Sequence, residues 1–348
     1  MIEGSEGGAF RVAVVGCGAM AETRHLPALG RRPGRRVAAL VDRDEGRARA
    51  LAREHGDPAV FSSHRDLIEA GGVDGAIVAV PPRLHASISQ DLMRAGIPVL
   101  VEKPVALTLA ECDAMARTAE ETGVIVAVGL MRRFAPQLVM VKRLLQEGAL
   151  GPIHRIELRD GSIFRWPAAT DFPFRKDQAG GGVLIDLGVH SVDLLIWWMG
   201  DVTLLEYRDN DRGGVESDCL MKVGLASGGV GELEFSRTRR LRGTAILVGE
   251  QGRLEVDLAD NHLDLSFSEG HHLVGEVQQD SGGQVVDQVA LIAAEHDDWV
   301  NAVVSGTSPR ATAVEARRSL ALILEAYERR ETLDFPWFRP LSERGGGG

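Results

Sequence analysis

The sequence predicts an α/β protein in which a doubly wound parallel sheet is followed by a second, α+β domain with a largely antiparallel, open-faced sheet. Three observations support this prediction. Short apolar runs without alternation are separated by helical stretches, a glycine-rich turn follows the first run directly, and apolar and polar residues alternate after about residue 150. Because 348 residues exceed one ordinary hydrophobic core, we expect two domains, residues 1–130 and residues 131–348.

The first part of the chain alternates between strand and helix signals. Its strand candidates are short, rich in valine and isoleucine, and end in glycine, aspartate or proline: Arg11–Gly16, Val37–Asp42, Gly75–Pro82, Ile97–Pro104 and Val124–Gly129. Helical stretches lie between them, the first to about Gly30 and the second to about Glu54. Apolar strands without alternation are covered on both faces, which is typical of the parallel sheet of a Rossmann domain.

The pattern changes in the second part. Apolar and polar residues alternate over Ile153–Ile163 and over much of Gly229–Leu258. Alternation predicts antiparallel strands with one face covered and the other open or packed on a partner. One helix, Val183–Met199, lies among these strands, and a final helix is predicted from about Ala313 to Tyr327.

Composition and charge exclude several classes of protein. The chain carries 39 Lys and Arg against 50 Asp and Glu, a net charge of −11, whereas nucleic-acid-binding domains are usually basic. We see no apolar run of the ~18–20 residues that a membrane span needs, and residues 1–10 lack the apolar segment of a secretory signal. Cys17, Cys112 and Cys219 lie far apart and show no metal-ligand spacing. We therefore expect a cytoplasmic protein without a metal site and without nucleic-acid or membrane partners.

A glycine-rich turn, "GCGAMA", spans Gly16–Ala21 at the end of the first predicted strand. It matches G-x-G-x-x-A, whose glycines let a pyrophosphate approach the N-terminus of a helix. Asp42 ends the second strand, 24 residues after Gly18, where a carboxylate binds the ribose hydroxyls of NAD. Arg43 follows, and its guanidinium suits either pairing with the 2′-phosphate of NADP or stacking on adenine. We expect NAD as the cofactor, with NADP possible, at a site formed by Gly16, Gly18, Ala19, Met20, Asp42 and Arg43.

Two further segments place ionisable residues where a core would be apolar. "VEKP", Val101–Pro104, ends a parallel strand, and ligands bind outside the carboxyl ends of such strands. In the helix over Val183–Met199, Asp186, His190 and Asp193 are spaced i, i+4 and i+7, so they share one face. The helix alone permits two interpretations: a catalytic stripe, or an acid at a helix N-terminus followed by a hydrogen-bonded core histidine.

Taken together, "GCGAMA", "PPRLH", "VEKP" and "GGGVLIDLGVHSVDL" resemble the Gfo/Idh/MocA oxidoreductase family over nearly the whole chain. That family includes glucose–fructose oxidoreductase and inositol dehydrogenases. Pro82 departs from the pattern, since many members have Asn there. The resemblance implies a homodimer or homotetramer formed through the open sheet. It also implies the following roles: catalysis for Lys103, Asp186 and His190, and cofactor contacts for Pro81, His85 and Glu102.

These residue types suit hydride transfer between nicotinamide and an alcohol. A hydroxyl that loses a hydride must also lose a proton, and His190 suits that transfer near neutral pH. Asp186 is expected to orient the imidazole or to hold a substrate hydroxyl, and Lys103 to stabilise negative charge on the reacting oxygen. Asp193 is expected behind these groups rather than in contact with substrate.

The substrate side carries weaker signals. The Pro-interrupted stretch Phe164–Asp177 precedes the helix with the polar stripe, and Trp166 there suits stacking on a sugar face. Arg175 in that stretch, and Arg132 after the last strand of the first domain, are expected to bind substrate, although loop packing explains them equally well. We predict a nicotinamide-dependent oxidoreductase acting on a sugar, inositol or related polyol. The alternatives are an NAD-dependent glycosidase of the same superfamily and a non-catalytic dinucleotide-binding regulator.

Overall fold

The computed structural model describes residues 8–167, 170–277 and 287–334, and it contains two sheets. The first sheet has six parallel strands in the order β3-β2-β1-β4-β5-β6, with the connection reversing direction between β1 and β4. This is the strand order of a Rossmann domain, so the predicted fold class is confirmed for this part. Its strands are Phe10–Val15, Arg35–Val41, Ala59–Phe61, Gly75–Val78, Val99–Val101 and Val126–Val128.

The strands of the first sheet are short because their apolar runs are short. β4 is buried along its whole length, and so are β5 and β6, which is why no alternation marks them in the sequence. Sequence analysis missed β3, since three residues leave too little pattern to detect. The predicted strands that end at Pro82 and Pro104 also extend too far toward the C-terminus. The residues just before these prolines form loops of the cleft instead.

The second sheet has nine strands in the order β14-β13-β12-β11-β7-β10-β9-β8-β15. β7 pairs with β10 in parallel, as β15 does with β8, and the other pairs are antiparallel. Burial alternates along most of these strands, for example in β9, so the expected largely antiparallel sheet is confirmed. The strands are Ile153–Gly161, Val202–Asp209, Asp218–Leu225, Val230–Ser236, Thr244–Gly249, Gly252–Asp257, His262–Phe267, His272–Glu276 and Glu331–Thr332.

The described residues form ten α-helices, and two of these helices follow π-helical turns. One turn, Ala21–His25, runs into α1, and the other, Leu184–Gly188, runs into α8. Short 3₁₀ turns cover Pro82–Leu84, Met131–Phe134 and Phe172–Phe174. Helices α1 to α10 are Leu26–Gly30, Glu45–Glu54, His64–Ala70, His85–Arg94, Leu109–Thr122, Pro136–Gln146, Lys176–Ala179, Val189–Met199, Gln288–Ser305 and Ala313–Glu328.

Helix α9 returns from the second sheet to the first. The ring of Trp299 lies 5.8 Å from that of Phe10 in an edge-on contact. A Cβ added to Gly75 would lie 2.7 Å from the same indole, so glycine lets this helix sit against β4. A helix within residues 131–348 therefore helps to cover the first sheet, and the division at residue 130 stays a prediction. Residues 335–348 of that predicted domain lie outside the described residues.

The segment Lys176–Met199 is the one stretch of the described chain that is long and apolar enough to cross a membrane, with a mean hydropathy of 1.4 over its best window. Within the fold, however, 83% of that window is buried. Core helices meet the same criteria of length and composition. This segment also contains the predicted polar stripe. It is apolar because most of it is buried, and it carries a polar stripe because one face lines the cleft described below.

Candidate active site

One large cleft of about 1030 Å³ lies at the carboxyl ends of β1, β2, β4 and β5. The loops after these strands form one wall, and the helix with the polar stripe forms part of the other. Arg132 and Arg175 do not line the cleft. The remaining sequence-predicted site residues all do: Gly16, Gly18, Ala19, Met20, Asp42, Arg43, Pro81, His85, Glu102, Lys103, Trp166, Asp186 and His190.

The glycine turn after β1 is shaped by close packing on one side and open space on the other. Gly16 has φ 101°, and a Cβ there would lie 2.5 Å from the carbonyl oxygen of Ala79. A Cβ at Gly18 would meet no atom within 4 Å. Gly16 is therefore required by the neighbouring loop, while Gly18 leaves the backbone open to the cleft, as close approach of a pyrophosphate requires.

Asp42 braces this turn from the end of β2. Its Oδ2 accepts a hydrogen bond from the backbone N–H of Cys17 at 2.9 Å, and its Oδ1 accepts one from that of Asp44 at 2.9 Å. The Asp42 side chain is only 10% exposed. Arg47 lies beside it, 3.6 Å from its Oδ2, so this end of the cleft carries two arginines, Arg43 and Arg47, around one carboxylate.

Lys103 makes a direct contact between the first domain and the helix with the polar stripe. Its Nζ donates to the backbone oxygen of Asp186 at 2.8 Å and to Asp186 Oδ1 at 2.8 Å. The two residues are 83 positions apart in the sequence. The end of β5 in the first sheet and the helix with the polar stripe therefore meet at a charged pair inside one cleft.

Leu184–Met199, which we call the cleft helix, begins against a buried acid. Glu216 accepts hydrogen bonds from the N–H groups of Gly182 and Leu184, at 2.7 and 2.9 Å, and from the Tyr327 hydroxyl at 2.8 Å. A Cβ on Gly182 would lie 1.9 Å from the Glu216 backbone oxygen, and one on Gly181 would lie 2.2 Å from the Tyr327 hydroxyl. The glycines before the helix thus admit an acid that satisfies its first N–H groups.

The first turn of the cleft helix is π-helical, and this has a consequence for Lys103. In a π turn the N–H groups bond five residues back instead of four, which changes how nearby carbonyl groups are paired, and such turns are frequent at functional sites. Here the carbonyl of Asp186, inside the π turn, accepts a hydrogen bond from Lys103 Nζ. Lys103 is consequently fixed by the helix backbone as well as by a carboxylate.

Asp186 has a second cationic partner that sequence analysis missed. Arg237, directly after β10, donates from Nη2 to Asp186 Oδ2 at 2.5 Å. Burial alone would raise the pKa of Asp186, but the charges of Lys103 and Arg237 outweigh it and hold that pKa well below its ordinary value. Asp186 is therefore an anion throughout the neutral pH range. Arg237 begins a run of polar residues in the sequence, and nothing local indicated that its side chain is buried.

His190 lies on the same helix face but does not contact Asp186 through a hydrogen bond. Its Nδ1 is buried and has no hydrogen-bond partner in the described part of the chain. Burial lowers its pKa well below 6.5, and the charges of Lys103 and Arg132 lower it further, against a smaller opposing effect of Asp186. His190 is therefore a neutral imidazole at pH 7. The expected alternative role of Asp186, orienting this ring, has no support in the geometry.

Asp193 and Arg132 lie behind the cleft. Asp193 forms a bidentate pair with Arg133, at 2.8 Å to each oxygen, and all of these groups are buried. Arg132 donates to Asp160 Oδ2 at 2.5 Å and to Ser191 Oγ at 2.9 Å. Arg132 therefore braces the cleft helix and acts on His190 through its charge, and the structure does not bring it to the substrate side.

The stretch after β7 supplies aromatic groups to the cleft. The guanidinium of Arg24, in the first domain, lies 5.6 Å from the ring centre of Trp166. That of Arg237 lies 5.0 Å from the ring centre of Phe164. Arg175, by contrast, pairs at the surface with Asp177 and Asp171. Ala168 and Ala169 of this stretch lie outside the described residues.

A second group of ionisable residues lies directly beneath Lys103. Glu102 Oε1 is 3.0 Å from His25 Nε2, and His25 Nδ1 is 3.0 Å from His296 Nε2. Both contacts are hydrogen bonds when each ring donates from its Nε2. Burial raises the pKa of Glu102, but the hydrogen bond and charge of His25 bring it below the ordinary value. Glu295 also lies here, with both carboxylate oxygens buried and unpartnered among the described residues. Burial and the charge of Glu102 raise its pKa.

His85 joins the two loops that carry Pro81 and Lys103. Its Nδ1 lies 2.7 Å from the carbonyl oxygen of Pro104, and its Nε2 lies 2.8 Å from that of Val80. The ring is fully enclosed, and burial lowers its pKa against the opposing effect of these carbonyls. A neutral ring has a single N–H, so His85 lies between the two loops and donates to only one of these two carbonyl groups. Within the described residues, no group of three or more His, Cys, Asp or Glu side chains could hold a metal ion.

Comparison with known proteins shows which protein family this chain resembles. Residues 10–130 match the family model described as "Oxidoreductase family, NAD-binding Rossmann fold", and residues 138–255 match the GFO/IDH/MocA C-terminal domain. Inositol 2-dehydrogenase 1 of Saccharopolyspora erythraea is 42% identical over 211 residues, which cover 58% of this chain and 59% of that protein. The scyllo-inositol 2-dehydrogenase (NAD(+)) of Bacillus subtilis is 30% identical over 66% of this chain and 67% of its own length.

Solved structures show the same fold across most of the chain. An oxidoreductase from Agrobacterium radiobacter, in complex with NAD+, L-tartaric acid and magnesium, matches with a TM-score of 0.82 and 20% identity, covering 92% of this chain and 96% of that one. At this level of identity the likeness concerns the fold alone. The match to the Saccharopolyspora enzyme spans 59% of that relative, less than two thirds of its length.

Proposed function

This chain belongs to the Gfo/Idh/MocA oxidoreductase family, and from that premise we propose that it is a nicotinamide-dependent oxidoreductase of a sugar, inositol or related polyol. The reaction is hydride transfer to or from a secondary alcohol or ketone. One observation carries the proposal: Lys103 of the Rossmann sheet contacts Asp186 of the cleft helix, one turn from His190, inside a single cleft.

The cleft suits a dinucleotide at its Rossmann end. The open backbone at Gly18 fits a pyrophosphate, and Asp42 with Arg43 and Arg47 lies where an adenosine ribose would be held. Bound NAD supplies the hydride acceptor, and its reduced form supplies the hydride donor. The volume of about 1030 Å³ is at the upper end of ordinary ligand pockets, as a cofactor together with a sugar requires.

Lys103 and His190 have separate tasks in the proposed reaction. Lys103, fixed by Asp186, stabilises negative charge that develops on the reacting oxygen during oxidation. His190 is neutral and therefore able to accept the hydroxyl proton, and Nε2 is the nitrogen available for it because Nδ1 is enclosed by protein. In the reductive direction the same nitrogen returns the proton.

The substrate class rests on the family and on the character of the cleft wall. Both inositol dehydrogenases act, by their names, on cyclic polyols. Trp166 offers an apolar ring at the cleft that suits the face of a sugar or cyclitol. We further propose a cytoplasmic enzyme that forms a homodimer or homotetramer through the open face of the second sheet, as the family resemblance implies.

The direct test is a screen of neutral sugars, inositols and other polyols with NAD and with NADP, followed by the absorbance of the reduced nicotinamide. Net formation of reduced cofactor with at least one polyol is the expected result. Hydrolysis of a glycoside without net reduction would favour the NAD-dependent glycosidase instead. Cofactor binding without turnover of any polyol, ketose or glycoside would favour the regulator.

A further inference from the structure

Arg237 is a cationic residue at the reacting end of the cleft for which neither the sequence motifs nor the family resemblance supplies a role. It follows β10 and lines the cleft, yet only 8% of its side chain is exposed. One guanidinium nitrogen contacts Asp186 Oδ2, and the guanidinium lies against the Phe164 ring. A buried arginine with one carboxylate partner and one aromatic neighbour has little freedom to move.

The two cations on Asp186 use different oxygens. Lys103 Nζ is 2.8 Å from Oδ1, and Arg237 Nη2 is 2.5 Å from Oδ2. A carboxylate shared in this way is fixed in rotation, because turning it would break both contacts. Lys103 Nζ is the proposed donor to the reacting oxygen. Its position then depends on Arg237, which is distant in the sequence.

We propose that Arg237 is a positioning residue for the oxidoreductase reaction: it clamps Asp186 so that the remaining carboxylate oxygen holds Lys103 at the reacting oxygen of the substrate. Arg237 acts through Asp186. The inference rests on the proposed function, because it assigns Arg237 a part in that reaction.

The groups that face Asp186 come from several elements. Lys103 lies on the loop after β5, Arg237 at the end of β10, and His190 on the cleft helix itself, with Arg132 behind His190. Removing the Arg237 cation favours the protonated form of Asp186. An acid limb of the activity profile that is set by Asp186 therefore moves to higher pH in the variant, by about 1 pH unit if an ordinary arginine–carboxylate interaction is lost.

The experiment compares Arg237→Met, Arg237→Lys and the control Arg240→Met, with the best polyol from the screen. Arg240 is exposed on the same loop and does not line the cleft. We expect Arg237→Met to lower kcat by about 10–10²-fold, as loss of precise positioning does, with KM and NAD affinity nearly unchanged. Arg237→Lys should recover most of the loss, since one charged contact rather than a fork is needed here. Arg240→Met should behave as wild type.

A double-mutant cycle tests the route of action. If Arg237 acts through Asp186, then Arg237→Met should have little further effect on kcat in an Asp186→Asn background. Additive losses would overturn the proposal, and so would a Tm loss with full kcat in the folded protein. Should Arg237→Met fail to fold, Arg237→Gln replaces it in every comparison. Absence of wild-type turnover with any substrate would overturn the proposed function, and this inference with it; wild-type turnover with an unaffected Arg237→Met variant overturns only the inference.

Discussion

Glu102 and Lys103 are neighbours in the chain, yet they belong to two regions with opposite electrostatics. We call His25, Glu102, Glu295 and His296 the buried cluster, and Lys103, Asp186, His190 and Arg237 the cleft cluster. In the buried cluster, one carboxylate and two histidine rings are joined by hydrogen bonds. In the cleft cluster, two cations meet one carboxylate beside a neutral histidine.

The difference separates Glu102, the buried residue of the "VEKP" motif, from Lys103, the residue to which we assign catalysis. Burying a polar group without a hydrogen bond is costly, so the hydrogen bonds from Glu102 through His25 to His296 are expected to contribute to stability. The cleft cluster concentrates positive charge where an alkoxide would form, which suits transition-state stabilisation. Substitutions in the cleft cluster should therefore reduce activity and preserve folding. Substitutions that break hydrogen bonds in the buried cluster should reduce stability and preserve the activity of each folded molecule.

The largest expected effect concerns the cleft cluster. Lys103→Ala should lower kcat by about 10²–10⁴-fold, because it removes charge stabilisation at the reacting oxygen, and His190→Ala should lower it within a similar range. If both act on one transition state, the double variant should lose less than the product of the two effects. The measurement is steady-state kinetics beside thermal unfolding and NAD binding. A His190→Ala protein that is less stable yet fully active would return His190 to a structural role.

The matching test of the buried cluster is His25→Ala. This change leaves the Glu102 carboxylate buried without one of its hydrogen-bond donors, and a buried acceptor left without its partner costs about 1–3 kcal/mol of unfolding free energy. Urea unfolding measures the loss, and kcat per folded molecule should change far less than in Lys103→Ala. Glu102→Gln is the control, since an amide at this position needs no countercharge. A stable His25→Ala protein with greatly reduced kcat would break the division between the two clusters.

Acidification should weaken the fold, because burial lowers the pKa of His85, His190 and His296. Between those lowered values and about pH 6.5 the unfolded chain binds more protons, so stability is full above about 6.5 and falls as the pH falls. Glu295 opposes this trend, since its raised pKa favours folding at low pH. We expect a net loss of about 1–3 kcal/mol per pH unit between pH 6 and 5. Glu295→Gln should make the loss of unfolding free energy with falling pH steeper. Urea unfolding at each pH measures this free energy. A free energy that stays constant between pH 6 and 5 would contradict the prediction, because it would mean that the buried histidines are already charged in the folded protein.

The smallest expected effect concerns the Rossmann end of the cleft. There Asp42 lies beside Arg43 and Arg47, an arrangement found in neither cluster. Asp42 disfavours a 2′-phosphate, so NAD should bind more tightly than NADP, and Asp42→Ala should narrow the preference by about tenfold, or ~1.4 kcal/mol. Because Asp42 also accepts from Cys17 N–H, NAD itself should bind less tightly to the variant. Fluorescence titration with NADH and NADPH measures both. A wild-type preference for NADP would make Arg43 and Arg47 the deciding residues.

Part of the site was predictable because its signals are local. The glycine turn, the Asp42 position and the strand end at Lys103 follow from short motifs in a fixed strand-turn-helix context. Asp186 and His190 were placed on one face by helical periodicity, and the structure puts both at the cleft. The fold class was predictable for the same reason: continuous apolar runs and alternating runs report the burial of their own residues.

Other features were decided by the tertiary structure, because they depend on contacts between residues distant in sequence. His25 meets His296 across 271 positions, and Arg237 meets Asp186 across 51. Arg132 was expected at the substrate, and its partners Asp160 and Ser191 lie on elements that no local pattern brings together. A charged side chain at a strand end has the same sequence signal whether it faces solvent or a cleft. Arg237 faces the cleft because the second sheet packs against the cleft helix. That packing exists only in the assembled fold.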